Sequence, residues 1–422
     1  MFRFKKKRID VTILGGIVGN GLSWFDFTLY VFFVSTFSDL FFPTKSQFVS
    51  LAITLSVFAS GFFIRPLGGF ILGYFGDLYG RKNILIFTTV LMGVATSLIA
   101  FIPTYAQIGM AAPIILIILR LLQGFAIGGE LNSASSLLVE HAKKNARGLA
   151  GSLVMSSTFV GMLLASAVAT FVTMILSHQQ LITWGWRAAF LFAGLAGVVA
   201  LFIRFHTKES PKFEAAKKLI SGSTKSAFKK NLHFLFLGIV ITSSMAIAVY
   251  FLIGYFTTFI VETQGFSLKD AKLIGFISTF VLMCLVPLFG FLSDKIGRKP
   301  IVLSSTLSFL LFAYPILFLI SQKSFTLVLL GQILFAITLA PVSGVVSTML
   351  AEFFPTKIRN SASAIAYNIS FAVFGGTSPL IAIALVNWTG NIMAPAWYLM
   401  GCAFFSTIAV LLTKDNYKGD LL

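Results

Sequence analysis

The chain has 422 residues, 57% hydrophobic and only 11% charged, with a mean hydropathy of +0.93. A soluble domain carries about 25% charge, so lipid must cover most of the exterior, which excludes a cytosolic enzyme, a secreted domain and a disordered chain. The net charge of +18 is not a nucleic-acid footprint: 25 of the 32 Lys+Arg fall on one set of alternate connections, five on the other and two inside apolar segments, the positive-inside pattern of a multi-span membrane protein.

The basic start, Arg3 to Arg8, leads into an apolar run from Val11 to about Phe37 with no small-residue cleavage site after its first dozen residues, so it reads as a retained first helix rather than a signal peptide. Runs of about 20 apolar residues then predict twelve spans: 11–37, 48–76, 84–103, 111–138, 149–176, 186–205, 232–260, 272–292, 300–320, 325–350, 360–386 and 394–413. Strands of an outer-membrane barrel would be about half that length. The longest polar stretch, 206–231, is Lys-rich and separates an N-terminal six-span half, 1–205, from a C-terminal half, 232–422. Both termini fall on the basic side, which predicts cytoplasmic ends in a bacterial inner membrane.

The halves repeat. Gly73-x3-Asp77-x2-Gly80-Arg81-Lys82 follows span two, and Gly290-x3-Asp294-x2-Gly297-Arg298-Lys299 follows span eight, 217 residues later. Glu140-x6-Arg147 and Glu352-x6-Arg359 follow spans four and ten, 212 residues apart. Each Asp can accept from a neighbouring helix N-terminus, and each Arg can reach a carboxylate such as Glu140 or Glu352. The set Gly73, Asp77, Gly80, Arg81, Glu140, Arg147, Asp294, Arg298, Glu352 and Arg359 is thus read as a cytoplasmic gate that latches the two halves together. The bland alternative is solvated loops that only set topology.

With these motifs the chain resembles the major facilitator superfamily, whose G-x-x-x-D-x-x-G-R-K loop stands here in both halves. It is most similar to the metabolite:proton symporters, a family that includes transporters of proline/betaine, 2-oxoglutarate, citrate and shikimate. That narrower resemblance rests on Gly19-Asn20-x3-Trp24-Phe25-Asp26-Phe27-x2-Tyr30, Arg65-Pro66-x2-Gly69, Arg120-x2-Gln123-Gly124-x3-Gly128-Gly129-Glu130 and Trp184-x-Trp186-Arg187. Ser23 stands where the family usually has Glu, and Leu131-Asn132-Ser133 where an aromatic and small residues are expected. The resemblance implies an all-α membrane protein of twelve transmembrane helices in two pseudo-symmetric six-helix bundles, working by alternating access. It also implies proton coupling through the acid of span one and the Arg of span four.

Charges inside a bilayer cost at least about 2.5–3.5 kcal/mol, which makes them functional candidates by default. The sequence offers four, Asp26, Arg65, Arg120 and Glu130. Asp26 lies about 22 Å along span one and Arg120 about 13 Å into span four from the other side, so their depths match and the two can meet. Asp26, Arg120 and Glu130 are the candidate proton-coupling residues, and a static ion pair is the alternative. Asn20, Ser23, Asp26 and Tyr30 share a helix face expected to line the cavity. Arg65 and Arg120 favour a substrate with a carboxylate. The full candidate substrate set is Asn20, Tyr30, Arg65, Arg120, Tyr250, Gln332 and Asn368; for the last three an interhelical hydrogen bond is an equally good reading.

Trp24, Trp184, Trp186 and Trp388 are expected near a membrane interface. The scattered histidines, the two cysteines in apolar runs and the absence of a P-loop lysine give no metal site, no disulfide framework, no cofactor and no enzyme chemistry. The reading is proton-coupled uptake of a small polar metabolite, an organic acid or a zwitterion such as proline or betaine, by a monomer whose partners are substrate, protons and lipid. Proton-coupled efflux, or a non-transporting sensor on the same scaffold, are the alternatives.

Overall fold

The computed structural model describes residues 11–219 and 224–421. The basic start Arg3 to Arg8 and residues 220–223 of the predicted linker lie outside the described residues. The described residues contain no strand. Eleven helices are long and apolar enough to cross a membrane, and twelve when Val11–Phe32 and Val34–Phe41 count as one span bent by 63°.

That bent pair is span one. Span two joins Gln47–Phe63 to Arg65–Tyr79, and spans three to six are Arg81–Phe101, Ala111–His141, Arg147–Ile175 and Trp186–Phe205. Two short helices, Pro211–Leu219 and Thr224–Lys230, lie within the polar stretch 206–231 that links the halves. Span seven joins Leu232–Tyr250 to Phe256–Gln264; spans eight to ten are Leu268–Ile296, Arg298–Ile320 and Phe325–Phe353. Span eleven joins Arg359–Ser370 to Ser378–Thr389, and span twelve is Ala394–Leu412. Helices outrun the apolar windows because their last turns carry the charged loop motifs.

Local chemistry explains the breaks. Pro66 sits in the first turn of Arg65–Tyr79, where its missing N–H costs nothing. Spans two and eight both stop at a glycine with positive φ, Gly80 at 104° and Gly297 at 105°, a conformation that side chains with a Cβ rarely adopt. Spans seven and eleven each widen into a π-turn, Phe251–Tyr255 and Phe371–Gly375, the kind of bulge that accompanies functional sites.

The halves meet along span two against span eleven and span five against span eight. A Cβ on Gly73 would lie 2.7 Å from Ser361 Cα, and one on Gly148 would collide with the Gly290 carbonyl. Backbones approach this closely only through small residues. On the opposite end, the bend in span one drives Phe37 and Phe41 onto Trp186, with ring centroids 5.2 and 5.7 Å apart. Trp186 is therefore core, and Trp24 is buried too, whereas Trp184 and Trp388 are 50% and 84% exposed. Trp24 and Trp186 thus pack among aromatic neighbours inside the protein rather than presenting their rings outward.

Candidate functional site

A cavity of about 360 Å³ lies between the halves, at the ends of the spans remote from the Gly73–Arg81 and Gly290–Arg298 motifs. Trp24, Phe27, Phe58 and Phe62 line one wall, and Tyr250 and Phe371 beside the two π-turns line the other. The cavity reaches the exposed side chain of Lys272 near the start of span eight.

Arg65 sits among the rings of that wall. Its guanidinium carbon lies 4.1 Å from the Phe62 ring centroid, 4.6 Å from Phe27 and 4.7 Å from Trp24. Its Nε and Nη2 are buried without an acceptor, as is Trp24 Nε1. Cation–aromatic contact offsets part of the desolvation of this guanidinium, yet unmet buried donors remain costly. Surplus donors beside an aromatic cavity are what an anionic group on a ligand would satisfy.

Asp26 and Arg120 do not touch. Thr96 Oγ1 donates to Asp26 Oδ2 at 3.4 Å, while Asp26 Oδ1 has no partner. Arg120 Nη1 donates to the Phe27 carbonyl at 3.1 Å and to Gln123 Oε1 at 2.8 Å, and Gln123 Nε2 donates to Thr96 Oγ1 at 2.8 Å. The direct pair expected from matching depths is thus replaced by a chain of two uncharged side chains. The Arg120 guanidinium instead stacks 4.3 Å from the Phe27 centroid and 4.4 Å from Tyr30. Sequence reasoning missed Thr96 and named Gln123, one helical turn after Arg120, only as part of the family motif.

Several other predicted residues sit elsewhere than expected. Asn20 Nδ2 donates to the Val154 carbonyl, Ser157 and Thr158 at 2.9–3.0 Å, so it fastens span one to span five. Tyr30 donates to the Thr54 carbonyl at 3.1 Å. Neither lines the cavity; the wall is built by Trp24, Phe27, Thr28 and Val31, on another face of span one. The residues expected to share a cavity-lining face instead meet three different helices: Asn20 span five, Asp26 span three and Tyr30 span two. Gln332 is buried without hydrogen-bond partners and is not among the lining residues. Asn368 donates to the Gly128 carbonyl at 2.7 Å, joining the halves below the cavity. Tyr250 does line it, whereas Arg65 and Arg120 lie behind its aromatic wall and are not among the lining residues.

Glu130 forms a buried ion pair with Arg204 and also accepts from Thr88. Arg204 further donates to the Leu85 carbonyl at 2.8 Å. This is a bracket among spans three, four and six, away from the cavity. The sequence placed Arg204 at the end of span six and counted it with the cations that follow, so it did not stand out as a membrane charge.

On the motif side the carboxylates are exchanged between halves. Asp77 accepts from the Asn360 and Ser361 backbone N–H groups at 3.1 and 2.9 Å, at the start of span eleven. Asp294 accepts from the Gly148 and Leu149 N–H groups at 2.8 and 2.9 Å, at the start of span five. Arg81 reaches Glu140 at 3.2 Å and Arg359 reaches the same carboxylate at 2.6 Å. Arg298 reaches Glu352 at 3.0 Å, with Arg147 at 3.9 Å from it. Two further carboxylates in polar segments also act as caps: Glu209 accepts from the Arg81 and Lys82 N–H groups, both at 3.1 Å, and Asp415 from that of Lys299 at 2.9 Å. Beyond the spans, the ion pair of Lys144 with Asp420 at 2.7 Å holds the Asp420 carboxyl below the ordinary carboxylate range.

Residues 12–233 match the family described as "Sugar (and other) transporter", and residues 245–420 match the Major Facilitator Superfamily. The glycine betaine/proline/ectoine/pipecolic acid transporter OusA of Dickeya dadantii is 31% identical over 98% of this chain and 85% of its own length. The proline/betaine transporter of Escherichia coli K12 is 33% identical over the same shares. Among solved structures, the proton:xylose symporter XylE superposes with a TM-score of 0.77 at 19% identity, covering 97% of each chain.

Proposed function

The chain belongs to the major facilitator superfamily, and from that premise we propose that it is a secondary active transporter for proton-driven uptake of a small zwitterion of the proline/betaine class. The observation that carries the substrate class is the unmet Arg65 guanidinium against an aromatic cavity. A carboxylate takes a bidentate guanidinium well, and an alkylated ammonium suits aromatic faces. The aromatic wall thus faces the ammonium end of a short zwitterion, and Arg65, buried behind the Trp24, Phe27 and Phe62 rings, is the cation its carboxylate end would seek. The relatives named as proline/betaine transporters support the same class.

In the cycle, the cavity faces outward while the exchanged caps hold the cytoplasmic side shut. Asp26 accepts the proton and Arg120 senses its arrival. Gly73, Asp77, Gly80, Arg81, Glu140 and Arg147, with Asp294, Arg298, Glu352 and Arg359, form the latch that opens for release. The protein works as a monomer in a bacterial inner membrane with both termini cytoplasmic.

Uptake of labelled betaine and proline into proteoliposomes, with and without an imposed pH gradient, tests this reading. Accumulation driven by an acidic exterior is expected. Counterflow that ignores the gradient would make it a uniporter, and accumulation driven by an acidic interior an exporter.

A further inference from the structure

We infer that Thr96 and Gln123 are positioning residues whose hydrogen-bond polarity couples the proton on Asp26 to the availability of Arg120 for substrate. The inference rests on the proton-coupled reading above and adds the device that carries the coupling.

The chain Arg120 Nη1–H to Gln123 Oε1, Gln123 Nε2–H to Thr96 Oγ1, Thr96 O–H to Asp26 Oδ2 runs across spans four, three and one. All four side chains are buried, so no bulk water replaces a lost partner. Every donor points toward the carboxylate, which is the arrangement an ionised Asp26 demands, since it can only accept. A proton arriving at Oδ2 turns Asp26 into a donor. Thr96 Oγ1 then accepts from Asp26, and its own hydrogen turns to Gln123. Gln123 must present Oε1 to Thr96, so its amide rotates and sets Nε2 against Arg120 Nη1. Donor faces donor, and Arg120 loses its side-chain acceptor. Nε and Nη2 of Arg120 already lack partners, so the released guanidinium seeks an anion. No covalent bond other than the Asp26 O–H forms, and the proton comes from a hydronium ion on the open side, which leaves as water.

Of the other charged groups, Arg65 is close to Arg120 and keeps unmet donors, and the rest are committed elsewhere. Arg65 of span two stands across the Phe27 ring. On span six, Arg187 donates to the Ala100 carbonyl and Arg204 is held by Glu130. Span five brings only Arg147, at the far gate. The Tyr30 hydroxyl is occupied by Thr54.

Thr96→Val keeps the shape and severs the link; Thr96→Ser restores the hydroxyl; Gln123→Leu removes the amide. Two readouts are taken on purified, monodisperse protein: betaine affinity as a function of pH, and the infrared carbonyl band of protonated Asp26, identified by its loss in Asp26→Asn. In the parent, affinity is expected to rise at least 10-fold from pH 8 to pH 6, a change of about 1.4 kcal/mol. Thr96→Val and Gln123→Leu are expected to flatten that to under about 2-fold and to displace the band's titration midpoint by about one unit or more, with Thr96→Ser close to the parent. Parent-like pH dependence and an unmoved midpoint in both severed variants would overturn the relay. A parent that binds no betaine or proline overturns the substrate reading instead, and the infrared arm then decides the relay alone.

Discussion

Glu130 and Arg204 are opposite charges in direct contact, both buried, with several hydroxyl and carbonyl partners around them. Removing one partner of such a pair strands the other, at about 3–5 kcal/mol. Glu130→Gln is therefore expected to lower the thermal midpoint of the detergent-solubilised protein markedly, and Glu130→Gln with Arg204→Met to recover most of it. Asp26→Asn is the contrasting case: its midpoint should stay near the parent's, gradient-driven accumulation should vanish, and exchange should persist in part, as counterflow will measure. Arg65→Lys forfeits a bidentate fork and is expected to weaken betaine binding about 10- to 100-fold, the worth of a charged hydrogen bond of roughly 1.5–3 kcal/mol. Asp26, Arg65 and Arg120 were legible because a formal charge in a 20-residue apolar run is conspicuous. Thr96 was not, because a hydroxyl in a membrane helix costs too little to stand out, and Gln123 stood in the family motif with nothing to say which partner it meets. Arg204 was hidden by the basic residues beyond it, and periodicity put Asn20 and Tyr30 on one face without saying which neighbour that face meets.

At the scale of helices, the gate side depends on spans two and eleven, and five and eight, lying almost backbone to backbone. Gly73→Ala places a methyl carbon 2.7 Å from Ser361 Cα, which only separation of the helices relieves. Spin labels on the ends of spans two and eleven should then report longer distances, and an outward-facing cavity less populated than in the parent. Asp77→Asn keeps the shape but removes the charge that complements a helix N-terminus, a loss of about 0.5–2 kcal/mol, and should shift the same distances in the same direction. The twelve spans could be read from hydropathy alone, since their lengths are fixed by the bilayer. The bend in span one and the π-turns in spans seven and eleven could not, because they arise where packing overrides helix continuity, as at Phe37, Phe41 and Trp186.

Over the whole molecule, the internal repeat is the feature that carried furthest from sequence to structure: both copies of the Asp motif end their spans at a left-handed glycine and both reach across the midline. What the repeat could not reveal is that the acids are exchanged, because a spacing of 217 residues says which positions correspond and nothing about which helix each one serves. That exchange has a mechanical result. Neither bundle owns both halves of its own fastening, so a rotation that frees one pair of helix starts must free the other. Intermediate tilts would strip caps without admitting solute, and they sit uphill of both end states. The swing should accordingly be all-or-none: distance probes placed beside Asp77 and beside Asp294 would change with one common midpoint and one common rate.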